Sequence, residues 1–144
     1  MRYIKPSIFS VGCLGLAVAF GGLRLWAYRE LGRDFTFQLA KPGGLRTGGL
    51  YAWMQHPSYT GTLGILMAVF SLWFQPRGVM GCFVPVWLVD MEWIWWCWRL
   101  GFLVVVGFVV GRRVVQEERM MKREFGGEWV GYHGRVDRFI PGVF

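Results

Sequence analysis

Apolar residues run from Ser7 to Tyr28 with one charge, Arg24, close enough to the end for its long side chain to reach the interface, where Trp26 and Tyr28 also fit. This pattern predicts a first membrane span at 7–28. Gly12, Gly15, Gly21 and Gly22 would weaken a soluble helix, but small residues let membrane helices approach closely, so they predict a packed face. From Arg29 to Gln55 the chain turns polar, and "KPGGLRTGG" places Pro42 and four glycines in a connection longer than usual. Pro57 suits the first turn of a helix, where a missing N–H costs nothing, and predicts a second span from Pro57 to Phe74, ended by "QPRG".

Gly78 to Gly111 cannot be one straight span, because it would extend about 51 Å against a hydrocarbon core of about 30 Å. Asp90, Glu92 and Arg99 interrupt it, and Trp93, Trp95, Trp96 and Trp98 among them read as an interfacial belt. Dividing it there makes Gly78 to Val89 a short interfacial or re-entrant segment and Ile94 to Gly111 the third span. The other division leaves Leu100 to Gly111 too short to cross. Beyond Arg112 a helix continues to about Phe125 and stops at Gly126 and Gly127, and a short amphipathic helix from Glu128 to Arg135 puts Trp129 and Tyr132 on one side. The pattern predicts an all-α integral membrane protein in one domain, 1–144. Its spans lie at about 7–28, 57–74 and 94–111, with a loop at 29–56 and a polar tail at 112–144.

Composition supports this. Of 144 residues, 54% are hydrophobic, 18% aromatic and only 17% charged, too few polar side chains to cover a soluble surface. The net charge is +7, and its basic residues cluster at Arg29 to Arg46 and Arg112 to Arg138, which three spans put on one face, the cytoplasmic one by the positive-inside rule. Nothing matches a nucleic-acid motif. Cys13, Cys82 and Cys97 lie in or beside apolar segments without CxxC spacing and read as structural. The first segment, too long for a signal peptide and without a small-residue cleavage site, reads as an uncleaved anchor.

Two polar motifs carry candidate chemistry. "GLYAWMQHPSYTGTL" sets His56, Pro57 and two tyrosines before the second span, and "RRVVQEE" follows the third. In a helix Arg113 and Glu117 share a face, while Glu118 points about 100° away. Each motif has an ordinary reading: His56 as a cap or interface residue, Arg113 and Glu117 as a solvated pair. With no second His, Cys or carboxylate at ligand spacing near His56, nothing points to a metal site. There is no Walker lysine, GxSxG elbow or GxGxxG between strand and helix.

Together the motifs resemble the isoprenylcysteine carboxyl methyltransferase family. The "HPSYTG" core, the Glu117 and Glu118 pair ahead of Phe125 and Gly126, and the terminal "IPGV" occur in the family's order, and the resemblance covers roughly Leu31 to Phe144. It implies an enzyme of the endoplasmic reticulum membrane, with its site facing the cytoplasm, that transfers a methyl group from S-adenosylmethionine to the carboxylate of a prenylated C-terminal cysteine. It also implies that Gln38, Gly43, Gly44, Leu45, Arg46, Tyr51, His56, Pro57, Ser58, Tyr59 and Glu117 bind the cofactor and that Arg113 meets the substrate. On that basis His56, Arg113 and Glu117 converge on one pocket at the cytoplasmic end of spans two and three. The chain departs from the family at Gln55, usually Arg, at Trp129, usually Tyr, and in the length of 78–98. Two alternatives stay open: a phospholipid N-methyltransferase, which shares a His-Pro motif and a Glu-Glu pair, and a relative that keeps the fold without turnover.

Overall fold

The computed structural model describes residues 7–32, 43–75 and 83–142. Helix α1, Ile8–Leu31, begins where the Ser7 hydroxyl accepts from the Ser10 N–H. It ends at Gly32, whose φ of 55° turns the chain away while its N–H bonds the Tyr28 carbonyl. A 3-10 turn, Gly49–Ala52, leads to α2, Pro57–Trp73, which starts with Pro57 in its first turn as its ring geometry requires. One turn of helix, α3 at Val86–Val89, precedes α4, Glu92–His133. Among the described residues there is no strand, only an isolated parallel bridge between Met54 and Asp137.

The helix boundaries follow the apolar pattern closely. α1 outruns the predicted span by one polar turn, and α2 stops one residue short of Phe74. α4 carries the third span and the tail in one element, broken at Gly126 (φ 52°, ψ −119°), a conformation open mainly to glycine. Past this break Trp129 and Tyr132 are buried on one side.

α1 and α2 run antiparallel, with Glu30 beside Leu50, Arg24 beside Gly61 and Phe20 beside Gly64. The packed face differs from the expected one. A Cβ on Gly12, Gly15, Gly21 or Gly22 would meet nothing within 4 Å, whereas one on Gly61 would stand 2.8 Å from the Phe20 carbonyl oxygen and one on Gly64 would strike the Phe20 ring. The small residues that permit close approach therefore belong to α2, and the α1 glycines face outward. Contacts at both ends of α2 set α4 antiparallel to it. Phe70 stacks on Phe102 at 3.7 Å and Phe74 on Trp98 at 6.2 Å, and Arg99 donates to the Phe74 carbonyl at 3.4 Å, where the last turn of α2 needs a donor.

α1 and α4 are long and apolar enough to cross a bilayer, and only 6% and 11% of their most apolar windows are buried within the protein. A core helix of a soluble protein would be largely covered, whereas these two leave most of their apolar surface uncovered, as candidate membrane spans do. α2 has 17 residues, about 26 Å of helix. The predicted interfacial segment Gly78 to Val89 is described only from Phe83 onward, and Cys82 lies outside the described residues. Cys13 is buried and Cys97 exposed, both as free thiols.

Candidate site at the first turn of α2

The two motifs meet because α2 and α4 are antiparallel. Tyr59, in the first turn of α2, donates its hydroxyl hydrogen to Glu117 Oε2 at 3.0 Å and accepts from Arg113 Nε at 3.3 Å. One turn of α4 separates Arg113 from Glu117, so one phenol can touch both. Tyr51, in the 3-10 turn, is 8% exposed, and burial first, then the nearby negative charge of Glu117, holds its phenol well above the ordinary 10. Tyr51 and Tyr59 thus bring neutral aromatic hydroxyls to the neighbourhood of one carboxylate.

His56 occupies the N-cap position of α2, but its side chain makes no capping bond. It is 6% exposed, with Tyr59 edge-on at 5.7 Å and Phe139 tilted against it at 5.9 Å. Its Nε2 lies 3.5 Å from Glu118 Oε1, within ion-pair reach but without hydrogen-bond geometry, and has no hydrogen-bond partner among the described residues. His56 thus meets Glu118, while Tyr59 meets Glu117. Pro57 is fully buried and Ser58 half-buried, its carbonyl accepting from Thr62 at 2.8 Å.

The other expected residues lie before the 3-10 turn. Residues 43–46 form a bend in which Gly44 and Leu45 are half-buried and Gly43 and Arg46 exposed, and Gln38 lies outside the described residues. The turn itself is fixed by Glu30, which accepts from the Leu50 N–H at 2.8 Å, and by Gly49 at φ 61°, where a Cβ would collide with the Glu30 carboxylate. The Tyr51 carbonyl accepts from the Tyr132 hydroxyl at 2.6 Å, and burial pushes that phenol up to about 12, so it stays a neutral donor.

Several contributors escaped the motif reading. Glu118 accepts from Arg138 Nε at 2.8 Å and Nη2 at 3.3 Å. Burial alone would raise its carboxyl, but the nearby His56 ring and the hydrogen bonds and charge of Arg138 bring it down to about 2. Gln55, 6% exposed, bonds the end of α4 at His133 and the chain beyond it at Val136 with its whole amide. The available signals were the position of Glu118 beside Glu117 and the lone cation of "VDRF", and neither says how the chain folds back past Gly126. No group of three or more His, Cys, Asp or Glu placed to hold a metal ion occurs among the described residues.

Two apolar helices packed antiparallel on or beside a third, with ionisable groups gathered at one end, make an all-helical protein with two candidate membrane spans and a polar cluster at one end of its helices. The chain belongs to the isoprenylcysteine carboxyl methyltransferase (ICMT) family, whose pattern matches residues 13–94. It is similar to protein-S-isoprenylcysteine O-methyltransferase B of Arabidopsis thaliana, at 29% identity over 157 aligned positions covering 99% of this chain and 70% of that protein. The family match spans the positions of Tyr51 and His56 to Tyr59, and the similarity to the relative extends over 99% of the chain, α4 included.

Proposed function

We propose that this protein methylates the C-terminal carboxylate of prenylated cysteine, using S-adenosylmethionine, at the cytoplasmic face of the endoplasmic reticulum membrane. The observation that carries this reading is Tyr59 bonded to both Arg113 and Glu117, which gathers a cation for the acceptor and an anion for the donor at one helix turn. Family membership supports the reaction class. Arg113 and Glu117 lie just past the third apolar stretch among Arg112, Arg119, Lys122 and Arg123, a basic cluster for which the positive-inside rule favours the cytoplasm.

The residues fit the donor molecule. Glu117 accepts one hydrogen bond from Tyr59, and a carboxylate has about four lone-pair sites, leaving capacity for an ammonium group. Tyr51 and Tyr59 offer the π faces that a cation prefers. In this reading Gly43 to Arg46, Tyr51 and His56 to Tyr59 form the cofactor wall, with Gln38 joining from the preceding loop and Glu117 binding the polar end.

When bound, the cofactor supplies a sulfonium methyl, whose bond to sulfur breaks as a carboxylate oxygen bonds the carbon, the electron pair passing to sulfur. No proton moves, because the acceptor carboxylate is already ionised at neutral pH. The chain's task is therefore orientation and removal of water rather than base catalysis. Arg113 presents a planar fork that fixes both carboxylate oxygens, and Tyr59 holds that fork in register with Glu117. The prenyl group lies among the apolar helices, where its burial is favourable. This also separates the reading from a phospholipid N-methyltransferase, whose amine acceptor must lose a proton and gains nothing from an arginine beside it.

Purified protein offered a prenylcysteine analogue and phosphatidylethanolamine in parallel tests this. Methyl transfer to the prenylcysteine is the expected result; transfer to the lipid alone overturns it.

A further inference from the structure

We infer that Glu118 and Gln55 are positioning residues that fasten segment 136–139 as a strap over His56, so that the two adjacent glutamates divide their work: Glu117 faces the reactants and Glu118 holds the wall behind them. The kinetic part of this inference rests on the methyl-transfer reading above; the structural part does not.

The division follows from helix geometry. Neighbouring residues on α4 point about 100° apart, so a carboxylate next to Glu117 cannot reach Tyr59 as well, and it meets what lies on the adjacent side. There the chain returns after the Gly126 break, and Glu118 takes Arg138 in a two-pronged charge-assisted contact at 2.8 and 3.3 Å. The same carboxylate lies 3.5 Å from His56 Nε2. Glu118 is thus shared by the strap and the motif histidine.

Gln55 secures the other edge. Its amide nitrogen donates to the Val136 carbonyl and, at 3.3 Å, to that of His133. With the nitrogen so committed, its oxygen must accept, and His133 Nδ1 donates to it at 2.8 Å, which puts the proton on Nδ1. An arginine here has donors only and could not take that hydrogen, so Gln55 and His133 are matched. Between the two edges the strap's carbonyls bond the motif in turn: Asp137 with the Gln55 N–H at 2.8 Å, Arg138 with the His56 N–H at 2.9 Å and Phe139 with the Thr60 hydroxyl at 3.0 Å. Under this cover His56 turns its ring toward Glu118, Tyr59 and Phe139. It sets the height of Tyr59, three residues on in the first turn of α2, and hence of the hydroxyl that touches Arg113 and Glu117.

The test uses the full chain in lipid nanodiscs as wild type, Glu118→Gln, Arg138→Gln and the double variant. Glu118→Gln keeps the shape of the side chain, and helical circular dichroism confirms that each variant is folded. Hydrogen exchange of the Gln55 and His56 amides reads the strap directly. Both single variants are expected to speed that exchange about tenfold and to raise KM for S-adenosylmethionine by a similar factor, with kcat within about threefold of wild type. Because both remove the shared Glu118–Arg138 contact, the double variant is expected to fall well short of the product of the two single effects. Unchanged exchange in Glu118→Gln, a loss confined to kcat, or effects that multiply in the double variant overturn the inference. If the wild type transfers no methyl to prenylcysteine, the function reading fails, and the exchange measurement still decides the strap.

Discussion

One phenolic hydroxyl joins the two halves of the candidate site, since Tyr59 both receives from Arg113 and gives to Glu117. Removing it leaves both charges present but no longer held in register, so Tyr59→Phe is expected to lower kcat/KM about tenfold without unfolding the chain, as measured by steady-state methyl transfer and thermal melting. Glu118 is legible in a different observable. Its carboxyl is drawn down from an ordinary 4.5 to about 2. A depressed folded-state value means that its contribution is complete above about pH 4.5 and lost as pH falls toward 2. The difference in melting temperature between wild type and Glu118→Gln in detergent should therefore be constant above the upper value and shrink below it; a difference that grows on acidification contradicts the assignment. Spacing put Arg113 and Glu117 on one helix face, and only the family resemblance of their motif singled them out. The role of Glu118 could be read from neither, because its partner Arg138 comes within reach only through the backward turn at Gly126.

Hydrophobic patterning placed α1, α2 and the apolar part of α4 within a few residues, because a bilayer-length apolar run has few other solutions. It did not place the helix faces. Glycines in α1 and α2 look alike along the chain, yet only Gly61 and Gly64 lie against a neighbour, since close approach depends on which side of each helix turns inward. A Cβ on Gly61 would meet the Phe20 carbonyl oxygen at 2.8 Å and Arg24 Cβ at 2.9 Å, one of them backbone that cannot swing away. Gly61→Val is accordingly expected to destabilise by about 1–3 kcal/mol in a detergent melt, while Gly15→Val, with open space around it, leaves the melting temperature near wild type. The 3-10 turn at Gly49–Ala52 was also hidden in the sequence, because it depends on Glu30, twenty residues earlier, accepting from Leu50.

Across the whole molecule the balance is between an apolar exterior and a small polar end. α1 and α4 leave Leu14, Leu25, Leu100, Val104, Phe108 and Val109 more than half exposed, a surface that water does not tolerate and lipid does. The protein is expected to sediment with membranes, to stay there through alkaline carbonate washing and to be released by detergent; release by carbonate alone contradicts an integral placement. Within that frame the polar groups of α2, α4 and the strap meet at one helix end. The most direct test of this convergence is methyl transfer to a prenylcysteine analogue in nanodiscs by wild type, Arg113→Ala and Glu117→Ala. The account predicts transfer by the wild type and a loss of about a hundredfold or more in kcat/KM for each variant, through KM for the prenylcysteine in Arg113→Ala and KM for the cofactor in Glu117→Ala. Wild-type turnover that survives both substitutions contradicts it.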